Sequence, residues 1–400
     1  MLALPVMECL MRQLAPYAVI CLLTMAWASH GQAAEAPLQV QIGYLGYRPD
    51  PGPLLSNVIP EPADAGQRGA ELAIIDSNST GAFLNQRYSL TSASVDSPEA
   101  LLTAAQAQHA QGLRLFVVNA PAASLRQLSA ALPDSLLFNA GSPDDRLRST
   151  DCLANVLHTL PSRAMLADAL AQFLVLRTWQ KALLIVGPTE DDQAYAAALR
   201  RAAKRFGVQL VAEKAWRFDN DQRRSAQADM PLFTQTADYD VVLVADERGD
   251  FGEYVPYQTW YPRPVAGTQG LTPTGWHKTV ETYGAAQLQK RFEALAGRWM
   301  NDRDFAAWMA VRSVASAVNK LRQVDPQAIR QLELSEQLPL DGFKGRKLSY
   351  RAWNGQLRQP IPIVQPRALV STSPQDGFLH PTNEMDSLGY DQPEVTCRFP

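Results

Sequence analysis

Residues 160–211 read LPSRAMLADALAQFLVLRTWQKALLIVGPTEDDQAYAAALRRAAKRFGVQLV. Four elements follow one another here with little between them. Residues 161–176 form a long apolar helix, and KALLIV at 181–186 is a buried strand. Residues 191–206 make an amphipathic helix that Gly207 ends, and 208–213 are a further strand. Strands and helices alternating across short connections signal a mostly parallel sheet wound with helices.

The same rhythm precedes this stretch. VQIGYLGY at 40–47 is a strand that runs into glycine, and 65–77 place Ala70, Ala73 and Ile74 on helical spacing. A β-like segment at 87–95, an Ala-rich helix at 99–111 and the strand LRLFVV at 113–118 come next. A helix at 123–132 and a strand at 135–139 complete a first α/β half. Beyond residue 211, YDVVLVA at 239–245 is another central strand, and 288–321 are strongly helical. Strands at 347–350 and 361–369 flank the turn Asn354-Gly355. Two successive α/β halves imply two similar lobes.

Composition agrees with a large packed core. The 400 residues are 46% hydrophobic and only 19% charged, which is enough for about two domains. A net charge of -3 and a pI near 6.0 leave no basic field for nucleic acid or anionic membrane. The apolar run at 14–28 has signal-peptide length, with Arg12 before it and small residues up to an expected cleavage after Ala33. Glu8 suits such a leader badly, so Met11 is an alternative start. Cys21 has no lipobox around it, and no later segment is apolar enough to span a bilayer. The mature chain is expected to be exported, soluble and free of membrane insertion. Cys9 and Cys21 leave with the leader, and Cys152 and Cys397 remain for one disulfide in an oxidising compartment. That bridge would tether the extreme C-terminus to mid-chain.

Catalytic and cofactor motifs are missing. His109, His158, His277 and His380 are far apart and show no zinc spacing. No G-x-S-x-G elbow occurs, and GYLGY at 43–47 lacks the third glycine and later acid of a dinucleotide fingerprint. Neither an enzyme nor a resident cofactor or metal is expected.

The ordered set of segments resembles the type I periplasmic solute-binding proteins of ABC transporters, of the branched-chain amino-acid receptor kind. QIGYLG matches their first strand, and GAELAIIDSNSTGAFLNQRYSL their first helix, loop and second strand. Residues 160–211 follow their passage into the second lobe. DFAAWMAVRSVASAV matches a late first-lobe helix, and FKGRKLSYRAWNGQLRQPIPIV the closing hairpin. The tail VSTSPQDGFLHPTNEMDSLGYDQPEVTC and YVPYQTWYPRPVAGTQGL are similar to a subfamily associated with pyrroloquinoline-quinone-dependent alcohol oxidation. The resemblance implies an α/β fold of two Rossmann-like lobes on a three-crossover hinge. Residues 38–157 and 270–335 would form lobe one, 158–269 and 336–370 lobe two, and 371–400 a tail. A Venus-flytrap cleft would then take a small organic ligand, aromatic or alcohol-derived, for an ABC permease. Two rivals remain: a periplasmic interaction or regulatory protein, and an accessory cofactor- or metal-binding factor for a quinoprotein dehydrogenase.

The same resemblance points to cleft residues. Gly141 and Ser142 end a strand where the receptors hold a ligand carboxylate, although Ser142 also suits a turn cap. The loop after the third strand begins with Asn119 and lacks the receptors' hydroxyl, which argues against a standard α-amino acid. Tyr195 stands where an aromatic covers ligand, behind Asp191 and Asp192, either of which suits a helix N-cap. Asp246 matches the acid that meets an ammonium group, or it pairs with Arg248. Tyr254 and Trp260 can stack on a cyclic ligand or pack into a rigid Pro-braced loop. Tyr47 and Arg48 are rim candidates, with Arg48 suited to an anion.

One stretch mimics a metal site. Asp76, Asn78 and Thr80 alternate before Gly81 as in a calcium loop, but Arg87 stands where the twelfth-position acid belongs. It reads instead as the polar end of the first helix, with Asn78 or Gly81 in a left-handed cap.

Overall fold

The computed structural model describes residues 36–50, 52, 59–217 and 222–397, so the expected leader lies outside the described residues. The first half of the chain alternates as anticipated: β1 (Leu38–Tyr47), α1 (Gln67–Gly81), β2 (Gln86–Val95), α2 (Pro98–Ala110), β3 (Leu115–Asn119), α3 (Ala122–Ala131), β4 (Leu136–Asn139) and β5 (Val156–His158). Its sheet runs β2-β1-β3-β4-β5, with β1, β3, β4 and β5 paired in parallel. Strands β3 and β4 are buried along their whole length. Cover on both faces explains why LFVVN and LLFN do not alternate.

The stretch 160–211 starts the second lobe as α4 (Arg163–Leu176), β6 (Lys181–Val186), α5 (Glu190–Phe206) and β7 (Gln209–Ala215). Ser162 caps α4 through Met165 N. Thr189 and Asp192 form a capping box on α5, which Gly207 ends in the left-handed region at φ 80°. Then come α6 (Gln222–Phe233), β8 (Val241–Ala245), β9 (Val265–Gly267) and β10 (Thr272–Pro273). The second sheet is β7-β6-β8-β9, also parallel.

The chain next returns to the first lobe through α7 (Ala285–Ala296), α8 (Asp302–Leu321) and α9 (Pro326–Leu334). Gly297, at φ 69°, splits the helical run expected over 288–321. Helix α8 lies so close to α1 that a Cβ on Gly69 would sit 1.9 Å from the Asp304 carbonyl oxygen. Only glycine fits there. Three short strands, β11 (Leu340–Asp341), β12 (Lys347–Tyr350) and β13 (Leu357–Arg358), form a small antiparallel sheet, and β14 (Ile361–Gln365) pairs with β10 on one side and β15 (Ala368–Ser373) on the other.

Further details differ from the sequence reading. Residues 336–370 were expected in lobe two, and part of that stretch touches the first lobe: Tyr350 bonds Ser313 of α8 at 2.9 Å and meets Phe138 of β4 edge-on, and Gln356 forms a backbone bridge to His158, the last residue of β5. Hydrophobic spacing does not encode these contacts. Helix α1 also continues through Asn78 to Gly81, and the left-handed residue is Asn85 at φ 53°. Asn78 instead bonds both backbone groups of Tyr88, at 2.8 and 2.9 Å, and so fastens α1 to β2.

Three crossovers join the lobes, and side-chain amides tie them together. Gln356 Nε2 donates to the carbonyls of His158 and Leu160, and Gln359 Nε2 donates to that of Thr159 at 2.8 Å. Lys344 Nζ donates to the carbonyls of Gly275 and Pro360 and to Gln359 Oε1. Its ammonium is buried among neutral acceptors, and burial pushes its pKa down to about 7.

The tail adds a further link. Asp386 takes the guanidinium groups of Arg351 and Arg358, each at 2.8 Å, and all three are buried. Gly389 N bonds Asp168 of α4, which also meets Arg201 and Arg205 of α5. Near its end the described tail meets Ser149 of the first lobe, whose carbonyl accepts from the N–H groups of Thr396 and Cys397. Cys152 and Cys397 are joined in a disulfide, as the cysteine count implied.

Candidate functional site

Between the lobes lies a cavity of about 690 Å3. Its floor is the hinge, with Leu160, Pro161 and residues 272–275, and its walls are built very differently on the two sides.

On the first-lobe wall, the ends of β1, β3 and β4 converge on a pair of guanidinium groups. Arg303, the second residue of α8, donates through Nη1 to Asn119 Oδ1 at 3.1 Å and to the Gly141 carbonyl at 2.6 Å. Its Nε lies 2.9 Å from Glu61. Arg48, just after β1, approaches the same carboxylate at 3.4 Å and donates to the Glu61 and Pro62 carbonyls. Burial and nearby Asp302 and Asp304 raise the Glu61 carboxyl above its usual range, against the pull of the two arginines.

Asn119 is otherwise occupied. Its amide donates to Tyr44 Oη and to the Ala65 carbonyl, inside a network in which burial pushes the Tyr44 phenol up to about 12. The backbone N–H groups of Gly141 and Ser142, proposed from sequence as an anion cradle, are both taken by Asn139 Oδ1, at 3.2 and 2.9 Å. Ser142 is buried, and its hydroxyl accepts from Asp144 N, as a turn cap does. Gly141 thus meets the site only through its carbonyl, and Asn119 only through Arg303.

The second-lobe wall is saturated with its own bonds. Arg163, the first residue of α4, grips Glu247 through two nitrogens, each at 2.6 Å, and Asp191 at 2.6 Å. Asp246 lines the cavity, yet its two oxygens accept three backbone N–H groups, from Asp250, Phe251 and Gly252. That carboxylate shapes the loop after β8 and does not pair with Arg248, whose partner is Asp250 at 3.2 Å. Thr189, rather than Asp191 or Asp192, is the N-cap of α5, with Asp192 its reciprocal partner. Tyr195 lines the cavity from within the second-lobe core, and burial raises its phenol well above the usual range.

The remaining predicted residues lie elsewhere. Tyr47 packs against the first-lobe core. Tyr254 is buried beside β8, and Trp260 lines a separate cavity of about 760 Å3 with Trp179 and Tyr257. The Pro-rich loop turns its aromatics away from the cleft, because Thr234 Oγ1 fixes Trp260 N at 2.8 Å and Tyr239 stacks edge-on against Tyr261. Glu61, Arg163 and Arg303 escaped the sequence reading. A signal was present: both arginines occupy the first turn of a helix, where the macrodipole disfavours a cation unless an anion is nearby. Among the described residues no group of three metal-ligating side chains occurs, and no helix is long and apolar enough to cross a membrane.

A family model described as periplasmic binding protein matches residues 61–369. Solved structures share the architecture. A branched-chain amino acid ABC transporter periplasmic ligand-binding protein from Burkholderia xenovorans LB400 is 16% identical, with TM-score 0.68 over 84% of this chain and 95% of that one. The leucine-, isoleucine-, valine-, threonine- and alanine-binding protein from Brucella ovis, in a closed conformation, is 13% identical, with TM-score 0.65 over 85% and 92%. An ABC transporter solute-binding protein from R. palustris in complex with benzoate is 11% identical, with TM-score 0.63 over 90% and 99%. Among curated protein sequences none matches. At these identities the solved structures establish the fold and not the ligand.

Proposed function

This chain belongs to the periplasmic binding protein family, and on that premise we propose that it captures a small organic ligand in the interlobe cleft and hands it to an ABC permease. Binding and release by lobe closure involve no chemistry on the ligand. The observation that carries this reading is the cavity of about 690 Å3 at the hinge, which has an apolar floor and a pair of arginines on one wall. Such a mixture of apolar lining and few directed polar groups suits a small organic molecule. Solved structures of the same fold include an amino-acid-binding protein and a complex with benzoate. Family membership implies a periplasmic location, and export by a leader within residues 1–33 is part of the proposal. The similarity of residues 254–271 and of the tail to proteins found with pyrroloquinoline-quinone-dependent alcohol oxidation selects the first compounds to try.

The test is calorimetric titration of the exported protein with alcohols, aldehydes, carboxylic acids and amino acids, paired with small-angle scattering. A compound that binds at micromolar concentration and shrinks the radius of gyration supports the proposal. If the whole panel leaves both signals unchanged, the interaction role gains, and one feature favours it. Tyr257 is fully exposed at φ 70°, a costly conformation for an aromatic residue with no buried contacts to hold it.

A further inference from the structure

We propose that Glu61 is an internal stand-in for a ligand carboxylate, and that the cleft takes a monocarboxylate with an apolar body. This inference rests on reading the cleft as a ligand site. Three strand ends bring Arg48 and Arg303 together, and Arg303 sits in the first turn of α8 against the helix dipole. Two cations gathered at such a place call for an anion. Glu61 supplies it poorly: the two guanidinium groups come no closer to its carboxylate than 2.9 and 3.4 Å. The facing wall shows the satisfied arrangement, with Arg163 bound to Glu247 through two nitrogens at 2.6 Å.

Glu61 is also easy to displace. It lies between β1 and α1, near Ile59, which is 91% exposed, and its side chain remains about one-third exposed. Its burial is enough to raise its carboxyl above the usual range, so its charged form is imperfectly served where it stands. Of the other cations beside the cleft, Arg163 is closed by Glu247 and Asp191 and Arg248 is paired with Asp250, while the 141–142 amides are closed by Asn139. Arg303 Nη2 has no partner among the described residues and offers the second tooth of a bidentate grip. Asp302, on the same wall, repels a second carboxylate, which limits the ligand to one. Leu160, Pro161 and Leu166 provide the apolar surface for its body.

Titrations with hexanoate, benzoate and L-leucine, each beside its neutral amide, test this on wild type, Glu61→Gln, Glu61→Asp and Arg303→Gln, with melts to confirm folding. The expected result is a preference of acid over amide in wild type and a gain of roughly tenfold for acids alone in Glu61→Gln. Arg303→Gln should lose roughly tenfold or more for acids, and Glu61→Asp should stay near wild type. Preference for L-leucine over hexanoate would mean that an ammonium group is recognised as well as the carboxylate. Amides binding as well as acids, or an unchanged acid affinity in Glu61→Gln, would overturn the inference while leaving the binding role intact. If no acid, amide or amino acid binds any folded variant, both the inference and the binding role fail.

Discussion

Two sites of the molecule set a pair of arginines on one carboxylate, with opposite consequences. Arg351 and Arg358 meet on Asp386, with Arg358 also reaching Glu336, and Arg48 and Arg303 meet on Glu61. The first set is closed. Its side chains are 1–3% exposed, and the guanidinium groups also donate to the carbonyls of Met385, Leu388 and Tyr350. The second set is open, with side chains 29–34% exposed and longer contacts. Stoichiometry therefore says little about role. What matters is whether the remaining donors have been given somewhere to go.

The sharpest way to break the comparison is Asp386→Ala. Two buried guanidinium groups would lose their shared anion, at a cost of about 3–5 kcal/mol, seen as a large fall in chemical-denaturation midpoint. Removing the staple with Cys152→Ser and Cys397→Ser should cost about 2–4 kcal/mol, with hydrogen exchange rising first along the tail that carries Asp386. Preserved protection there would show that Asp386 alone holds the tail.

Lys344 sharpens the contrast from another side, as a buried cation whose direct partners are neutral oxygens, with the Asp302 charge only a secondary pull. Its folded pKa is lowered to about 7 from 10.5, so between these values the unfolded chain binds the extra proton. Stability should then rise with pH across that window, by about a few degrees in melting temperature relative to Lys344→Met. A flat difference would mean that the three acceptors keep the ammonium charged. The smallest effect belongs to Glu61→Gln, which should change stability by under about 1 kcal/mol. Because burial raises the Glu61 pKa, the folded state holds its proton more tightly, and wild type should lose ground to Glu61→Gln as pH rises above about 4.5.

Much of the fold was legible because burial is written as pattern. KALLIV and LFVVN are covered on both faces, and Gly207 marks where α5 stops, whereas its start is capped by Thr189 and not by Asp191 or Asp192 as the sequence suggested. The cleft was less legible, since it is assembled from residues that the sequence keeps far apart. Arg303 meets Asn119 and Gly141 across a chain separation that no local spacing reports. Arg48, Tyr195 and Asp246 were placed at the cavity by analogy of position, yet the bonds of Asp246 turn it into a loop-former. Trp260 misled for a physical reason: a Pro-braced loop fixes its own direction, and this one points outward.

The disulfide has a last consequence in how the chain survives damage. Together with the backbone it closes a covalent ring from Cys152 to Cys397, 245 positions apart. All three hinge crossovers, the whole second lobe, and helices α7 to α9 lie on that ring. A single proteolytic cut anywhere within it opens the ring but separates nothing, so the nicked protein keeps both halves of its cleft on one covalent body. Only a second cut, or loss of the bridge, lets the lobes part.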